Sequence, residues 1–256
     1  MTTHNHMALR RVAAYLRARM SSPDGERRVA SFSYTFDAAS AEPARNYATP
    51  DDGADPCDAE VAALCERFDA RQRVPRLEYI HDLSPAVLPR LTAAGFTSSQ
   101  PLALMTCSRS SLSMDGDIEG LQWLLAENDA DLYVAAEVQN HAYGVPVTTA
   151  TDLQRLRELL DLGGAVALAR AHASDMVVAA GLFTPPHDGV AEIAAIGVHV
   201  SARRRGIGAA LAALLADHAF VQGIDLPFLM CEVANEDRVY RRAGFERFGE
   251  IVCASR

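Results

Sequence analysis

The segment Val198–Phe220, VHVSARRRGIGAALAALLADHAF, joins a strand-like run to a run of alanines and leucines through a basic turn. Glycines at 206 and 208 let the chain turn tightly and let a ligand approach the backbone closely. A helix N-terminus has unpaired N–H groups and partial positive charge, so this turn favours an anion, above all a diphosphate. The sequence also fits an ordinary strand-to-helix turn whose arginines are solvated.

Two other phosphate-binding motifs do not match the turn. No Gly-Lys-Ser/Thr follows the glycines, which excludes the phosphate loop of nucleoside triphosphatases. Leu211 occupies the position at which the dinucleotide fingerprint has its third glycine, so a Rossmann-type site is not predicted either.

Helix and strand patterns alternate along the whole chain. Helical patterns lie at 6–20, 57–73, 84–96 (with Ser84 as N-cap), 131–144, 151–162, from Gly206 to 220, and just before Gly244. Strand patterns lie at 27–36, 76–80, 101–108, 165–172, 176–183, 191–200, 227–233 and 247–255, and 38–56 is predicted to be a loop. Strands linked both by hairpins and by helices predict an α/β fold with a mixed, mostly antiparallel sheet flanked by helices. The polar stretch 108–117 suggests two domains, 1–112 and 113–256.

Composition narrows the class of protein. The 256 residues carry a formal charge of −9, which argues against a nucleic-acid surface, and no apolar run is long enough for a membrane span. The N-terminus lacks the order of a secretory signal. The five cysteines have no metal-ligand spacing. A cytoplasmic protein without a metal site is therefore expected, and its oligomeric state, monomer or dimer, stays open.

The order of strand, RxxGxG turn, helix, strand and short helix ending in YxxxGF resembles the GNAT superfamily of acyl-CoA N-acyltransferases. The residues that carry the resemblance are Arg203 to Gly208, with Val198 ahead of them, and Tyr240 to Phe245. The match covers about residues 118–256. It implies an acetyl-CoA cosubstrate whose diphosphate lies in the turn and whose pantetheine arm pairs with the backbone of the preceding strand. The implied cosubstrate-binding residues are Val198, His199, Val200, Arg203, Arg204, Arg205, Gly206, Ile207, Gly208, Ala209 and Asn235.

Two of these positions have alternatives. His199 would act through its backbone, and its imidazole is expected to be an ordinary, partly exposed side chain. Asn235 lies five residues before Tyr240, whereas the asparagine of family members often lies seven before, where this chain has Val233. Asn235 also fits a role as the cap of the short helix.

Tyr240 is the predicted general acid. Acyl transfer to an amine expels a thiolate, and a phenol close to the sulfur can protonate it. Many GNAT enzymes have a tyrosine at this position, although a tyrosine there also fits a packing role against the cosubstrate. The general base is predicted to be Glu192, on the strand that leads to the turn, with Glu232 on the next strand as second choice; both also fit ordinary strand-end carboxylates.

The segment RLEYIHDLSPAVLPRLTAAGF, residues 76–96, mirrors the strand–helix–GF unit of the second half. Alignment of the two GF pairs places Leu91 opposite Tyr240, and no arginine-glycine turn precedes the helix at 58–73. We therefore interpret the first half as a degenerate GNAT copy that has lost its cosubstrate site. The alternative is that the Leu-xxx-Gly-Phe sequence of the first half is an ordinary helix C-terminus, without any relation to the second half.

The sequence thus predicts transfer of an acetyl group from acetyl-CoA to an amine of a small molecule or peptide. The alternative is a non-catalytic acyl-CoA-binding or sensing module.

Overall fold

The computed structural model describes residues 3–20, 27–38, 40–113, 118–145, 147–232 and 237–256. Its helices are α1 (Thr3–Ala18), α2 (Asp58–Asp69), α3 (Val87–Ala93), α4 (Asp129–Ala142), α5 (Ala150–Asp161), α6 (Ile207–Val221) and α7 (Asp237–Arg242). Its strands are β1 (Arg28–Val29), β2 (Phe32–Thr35), β3 (Tyr47–Pro50), β4 (Arg76–Ile80), β5 (Thr97–Ser98), β6 (Leu102–Thr106), β7 (Leu121–Leu125), β8 (Ala165–Ala171), β9 (Val177–Phe183), β10 (Val190–Val198), β11 (Leu226–Glu232) and β12 (Glu246–Ser255). The predicted mixed, mostly antiparallel α/β fold is confirmed.

The chain divides into two compact units, Met1–Leu104 with Phe248–Arg256, and Met105–Arg247. The C-terminal strand β12 thus lies mostly in the first unit. The predicted domain limits at 112 and 113 divide the chain differently and stay a prediction. Within the described residues, no helix combines the length and the apolar character that crossing a bilayer requires.

The first unit has the strand order β1-β2-β3-β4-β12, and β5 also pairs with β12. Only β3 and β4 run parallel among these pairs, and α2 connects them. Its core includes Phe68 of α2 and Leu91 of α3, which belong to one buried cluster with Phe32 and Leu77 of the strands. The sheet of the first unit therefore contains one parallel crossover, β3–α2–β4, among otherwise antiparallel pairs.

Three sequence predictions for the first unit need correction. The loop predicted at 38–56 contains β3, which pairs with β2 and with β4, so tertiary pairing overrides the Ala, Pro, Asp and Gly content of the segment. Ser84 does not cap a helix: α3 begins at Val87, and the Ser84 hydroxyl donates to the carbonyl oxygen of Asp51 at 2.7 Å. The strand predicted at 27–36 is a hairpin, β1 and β2, with a positive φ of 49° at Ala30.

The second unit has the strand order β11-β10-β9-β8-β7, antiparallel except for β10 and β11. Ala180 and Leu182 of β9 pack in one cluster with α4 and α5, whereas a Cβ built on Gly181 would meet Leu211 and Leu215 of α6. Because successive strand residues point to opposite faces, α4 and α5 cover one face of the sheet and α6 the other. Strand β7 was not predicted from the sequence, since LQWLL does not alternate and follows the polar stretch.

Candidate active site

Strands β10 and β11 separate part-way along their length. They pair in parallel from Val190–Leu226 to Glu192–Phe228, yet β10 continues to Val198 and β11 to Glu232. On its other side β10 stays paired with β9 as far as Val198. The backbone edge of β10 that faces away from β9 is therefore released from pairing with β11 beyond Glu192.

A β-bulge bends β10 in this separated part. The register with β9 shifts between Ala194 and Gly197, and Ala195 has a positive φ of 52°. Gly197 lies against α4: a Cβ added there would approach the Cβ of Ala142 to 2.9 Å. The hydroxyl of Tyr143, at the end of α4, donates to the carbonyl oxygen of Ile196 at 3.4 Å. The bulge is thus held against the C-terminal end of α4.

The turn after β10 is closed by its own first arginine. The Nε of Arg203 donates to the carbonyl oxygen of Val198 at 3.0 Å. Arg204 and Gly206 have positive φ angles of 65° and 84°, and α6 begins directly after Gly206. Left-handed backbone is strained for arginine and easy for glycine. The first N–H groups of α6, which have no acceptor within the helix, therefore lie at this turn.

A cleft of about 500 Å³, the arginine cleft, lies at this turn. Its lining residues come from α4, β10, the turn, α6 and α7: Ala142, Tyr143, Ile196, Val198, Ala202, Arg203, Arg204, Gly206, Ile207, Gly208, Ala209, Val239 and Arg242. The charged residues among them are all arginines, although the chain is acidic overall. Three guanidinium groups together with a helix N-terminus make a site for a multiply charged anion.

Gly208 keeps the arginine cleft open. A Cβ added at this residue would lie 3.7 Å from Cγ2 of Ile196 and 3.8 Å from Cγ2 of Val198, at ordinary contact distance. Both side chains line the same cleft. A side chain at 208 would therefore occupy space in the cleft without a clash inside the protein.

The cleft contains seven of the predicted cosubstrate-binding residues: Val198, Arg203, Arg204, Gly206, Ile207, Gly208 and Ala209. Three others lie outside its lining. His199 lines a neighbouring cleft, Val200 is 63% exposed, and Arg205 donates to the carbonyl oxygen of Glu119 at 3.4 Å. Asn235 lies outside the described residues. The strand predicted to extend to residue 200 ends at Val198, which explains why Val200 turns outward.

The predicted acid and base also lie outside the lining of the arginine cleft. Tyr240 is half-buried on α7, between the lining residues Val239 and Arg242, and its ring meets Phe245 edge-on at a centroid distance of 6.3 Å. Glu192 is half-buried at the last paired position of β10 and β11. Its backbone N–H donates to the hydroxyl of Thr184 at 3.0 Å, and its carbonyl accepts from the backbone N–H of Thr184. Their catalytic roles stay a prediction.

Sequence reasoning missed Arg242 and Val239 as lining residues. Both belong to the helix that carries the YxxxGF motif, and Arg242 is part of the motif itself. The usable signal was their spacing, because residues three apart on a helix share one face.

The glycine of the YxxxGF motif has a structural role. Gly244 has a φ of 90°, and a Cβ added there would lie 1.9 Å from the carbonyl oxygen of Ser111. The Ser111 hydroxyl donates to the Gly244 carbonyl at 3.0 Å, and the Ser113 amide donates to the Ala243 carbonyl at 3.1 Å. Only glycine fits at position 244, and its contacts with Ser111 hold the backbone in place directly after α7.

A second cleft of about 670 Å³, the histidine cleft, has its own set of lining residues. They are Val134, Glu137, Val138, Asn140, His141, Val145, Thr148, Arg170, Asp175, Met176, Val177 and His199. The rings of His141 and His199 stack with a centroid distance of 5.5 Å and an interplanar angle of 16°. Nδ1 of His199 is 2.7 Å from Oγ of Ser201, which fixes that ring at the end of β10.

The cysteines of the second unit are not nucleophiles in this arrangement. Cys107 and Cys231 are both buried. Burial raises the pKa of the Cys107 thiol to about 12, so that it stays protonated at neutral pH. Among the described residues, no group of three or more His, Cys, Asp or Glu side chains is placed to hold a metal ion.

Comparison with known proteins identifies the second half. Residues 122–245 match the model of the acetyltransferase (GNAT) family. This segment is a GNAT acetyltransferase domain. The arginine cleft, the separated strands and the YxxxGF motif all lie within the GNAT domain or at its limit.

Solved structures share the fold over more of the chain. A GCN5-related N-acetyltransferase from Kribbella flavida matches with a TM-score of 0.77 and 22% identity, over 100% of this chain and 96% of that one. A functionally unknown conserved protein from Staphylococcus epidermidis matches with a TM-score of 0.64 and 12% identity, over 91% and 93%. A tandem GNAT protein from the clavulanic acid biosynthesis pathway matches with a TM-score of 0.60 and 15% identity, over 82% and 74%. Among curated proteins, none is significantly similar in sequence.

Proposed function

We propose that the protein transfers an acetyl group from acetyl-CoA, held in the arginine cleft, to the amine of a small molecule or peptide. The observation that carries this proposal is the convergence of Arg203, Arg204 and Arg242 on the N-terminus of α6, with no carboxylate among the lining residues that the structure describes. Backbone N–H donors at a helix N-terminus and guanidinium groups both favour a diphosphate. Membership of the GNAT family supports acyl transfer to an amine in general.

The separated strand provides the place for the rest of the cosubstrate. Ile196 and Val198 of β10 line the arginine cleft, beyond the last residue that pairs with β11. We expect backbone groups of β10 in this part to bind the amide groups of a pantetheine arm and to polarise the thioester carbonyl. The bulge at Ala195, held against α4, keeps these groups fixed before the ligand binds.

The chemical step that we propose is direct. The acceptor arrives as an ammonium ion, because a lysine-like amine has a pKa near ~10, and Glu192 takes one proton from it, directly or through water. The free amine attacks the thioester carbonyl, so a C–N bond forms and the C–S bond breaks. Tyr240 gives its proton to the departing thiolate, and the proton shed by the new amide nitrogen restores the phenol.

The first unit fits the role of a degenerate copy. Each unit has one parallel pair of strands connected by a helix, β3–α2–β4 in the first and β10–α6–β11 in the second. In each unit a short helix then ends at a glycine with positive φ, 88° at Gly95 and 90° at Gly244. Leu91, the counterpart of Tyr240, is fully buried in the core of the first unit. We infer that the first unit has kept the sheet and lost the site.

The five cysteines are unpaired, which supports the cytoplasmic location that we propose. No disulfide is needed to hold either unit together, because each has a buried apolar core.

Replacement of Tyr240 by phenylalanine tests the mechanism. The variant keeps the ring and its edge-on contact with Phe245, so acetyl-CoA affinity is expected to stay within about two-fold. Turnover at saturating acetyl-CoA is expected to fall about 10²- to 10⁴-fold, the usual effect of a positioned acid. Release of the CoA thiol with a panel of amines is the measurement. Equal rates in both proteins would remove Tyr240 from the mechanism, and acetyl-CoA binding without thiol release for any amine would favour the non-catalytic module.

A further inference from the structure

The first unit has a cleft of its own, the hairpin cleft, which lies between α1, the β1–β2 hairpin and Asp51 and has a volume of about 300 Å³. Its place in the first unit corresponds to that of the histidine cleft in the second. Each cleft is formed by the first helix of its unit, a β-hairpin and the residue directly after the next strand, Asp51 after β3 and His199 after β10. The first unit thus has a ligand-sized cleft here, although it lacks the arginine-glycine turn.

The charges of the hairpin cleft are mostly positive. Among the described residues, its charged lining consists of Arg17, Arg27, Arg28 and a single carboxylate, Asp51. The chain as a whole has a formal charge of −9, so this lining differs from the average surface. Guanidinium groups bind phosphate and carboxylate oxygens through pairs of parallel hydrogen bonds. The hairpin cleft therefore favours an anion.

Two of the three arginines are held in place by the protein. Arg28 donates from both of its terminal nitrogens to the two carboxylate oxygens of Asp51. Nη1 of Arg17 lies 2.8 Å from Oδ1 of Asp52 and 3.3 Å from the carbonyl oxygen of Pro50. A guanidinium group has five N–H donors, so these bonds orient both side chains without using all of their donors.

The third arginine carries a charge that the described residues do not neutralise. Nη1 of Arg27 donates to the carbonyl oxygen of Phe36 at 3.2 Å, and this side chain forms no ion pair with any described residue. The neighbouring carboxylate of Asp52 is shared between Arg17 and Arg10, at 2.8 and 3.4 Å. The arginines in and beside the cleft thus outnumber the carboxylates that bind them, and an anion in the cleft would balance this excess.

The rest of the lining leaves room for a small organic group. Ala14 and Ala18 of α1 contribute only methyl groups, and Met20 adds an apolar side chain. On the β2 side, the hydroxyl of Ser33 has no partner among the described residues and can donate to an oxygen of a ligand. A ligand of this cleft therefore combines an anionic group with a short, partly apolar body.

We propose that the hairpin cleft binds a phosphate monoester with a small organic group. A phosphate monoester carries a charge of about −1.5 to −2 at neutral pH and three terminal oxygens, which matches several guanidinium groups better than a carboxylate with one charge and two oxygens. Arg27 supplies the charge that remains free, and Arg17 and Arg28 add fixed N–H donors. This site lies within the unit to which no step of acyl transfer is assigned, and it is distinct from the arginine cleft.

The first measurement compares three probes by calorimetry on the whole chain: phenyl phosphate, inorganic phosphate and benzoate. Phenyl phosphate and benzoate share the ring and differ in the charge and the oxygens of the anion. We expect phenyl phosphate to bind at least ten-fold tighter than benzoate, and inorganic phosphate to compete with it. Absence of phenyl phosphate binding, or equal affinity for benzoate, would overturn the proposal.

Two variants decide which cleft holds the phosphate. Arg27→Gln is expected to lower the affinity for phenyl phosphate about ten-fold, as for loss of a charged hydrogen bond, whereas Arg204→Ala in the arginine cleft should leave it within about two-fold. Arg67→Gln is the matched control, since Arg67 is exposed on α2 of the same unit and does not line the hairpin cleft. Binding lost in Arg204→Ala and kept in Arg27→Gln, or lowered equally in Arg27→Gln and Arg67→Gln, would overturn the proposal.

A third variant, Arg27→Lys, separates ligand binding from folding. Lysine keeps the charge but presents it as a point instead of a planar fork, so its affinity for phenyl phosphate should lie between those of the wild type and Arg27→Gln. Phenyl phosphate should raise the melting temperature of the wild type by ligand linkage, and acetyl-CoA affinity should be the same in all three proteins. An equal rise in melting temperature for the wild type and a folded Arg27→Gln would overturn the site.

Discussion

The guanidinium Nε of Arg203 lies 3.0 Å from the carbonyl oxygen of Val198 and closes the turn that connects β10 to α6. The three consecutive arginines of the turn consequently have different tasks. Arg203 supports the turn, Arg204 lines the cleft with no hydrogen bond to the protein among the described residues, and Arg205 contacts the carbonyl of Glu119 outside it.

The division between Arg203 and Arg204 predicts two different mutant phenotypes. Arg204→Ala is expected to lower acetyl-CoA affinity about ten-fold, with a weaker dependence on salt, and to leave the melting temperature within about 1 °C. Arg203→Ala is expected to lower both affinity and melting temperature, because the bond to Val198 is lost. Calorimetric titration and thermal melting of both variants check this. Identical effects in the two variants would contradict separate roles.

Gly208→Ala is expected to stabilise the protein and weaken cosubstrate binding. Alanine is the better helix former by up to about 1 kcal/mol, and the added Cβ meets only Ile196 and Val198 at ordinary contact distance. The melting temperature of the free protein should rise by about 2 °C. The same methyl group occupies the arginine cleft, so acetyl-CoA affinity should fall about ten-fold. A variant that melts higher and binds equally well would show that acetyl-CoA does not contact Gly208.

Gly244→Ala is expected to destabilise the protein by about 3 kcal/mol or more, because its Cβ would lie 1.9 Å from the Ser111 carbonyl oxygen. Gly223→Ala is the matched control. Gly223 has a similar φ of 83°, but no atom lies within 4 Å of an added Cβ, so only backbone strain of about 1 kcal/mol is expected. Urea unfolding of both variants makes the comparison. Equal losses would mean that the contact with Ser111 relaxes freely.

A structural element could be predicted from the sequence where interactions between residues close in the chain determine its backbone geometry. The α6 turn, the strand before it and the glycine after α7 were predicted, because glycines and charges at fixed spacing specify local backbone geometry. Strands β3 and β7 were not, since β3 is set by its pairing with β2 and β4, and β7 by its pairing with β8. Short strands of this kind have no periodic signal of their own.

The candidate site shows the same limit. Arg204 and Gly208 could be placed from the turn alone, but the hydrogen bond from Arg203 to Val198 and the arrival of Arg242 in the same cleft depend on tertiary structure. The histidine cleft could not be predicted at all, because α4, the β8–β9 hairpin and the end of β10 supply its walls from distant parts of the chain.

The sharpest test of acetyl-CoA binding in the arginine cleft is calorimetric titration of acetyl-CoA into the wild type, Gly206→Asp and Gly206→Asn. A Cβ added at Gly206 meets no atom within 4 Å, and Asp and Asn tolerate the positive φ of this residue better than other side chains do. The two differ in charge alone. We expect one acetyl-CoA per chain for the wild type, weaker binding for Gly206→Asn and no detectable binding for a folded Gly206→Asp, whose carboxylate would repel the diphosphate. Equal affinities of the two folded variants, or two similar sites per chain in the wild type, would contradict a single acetyl-CoA site in the arginine cleft.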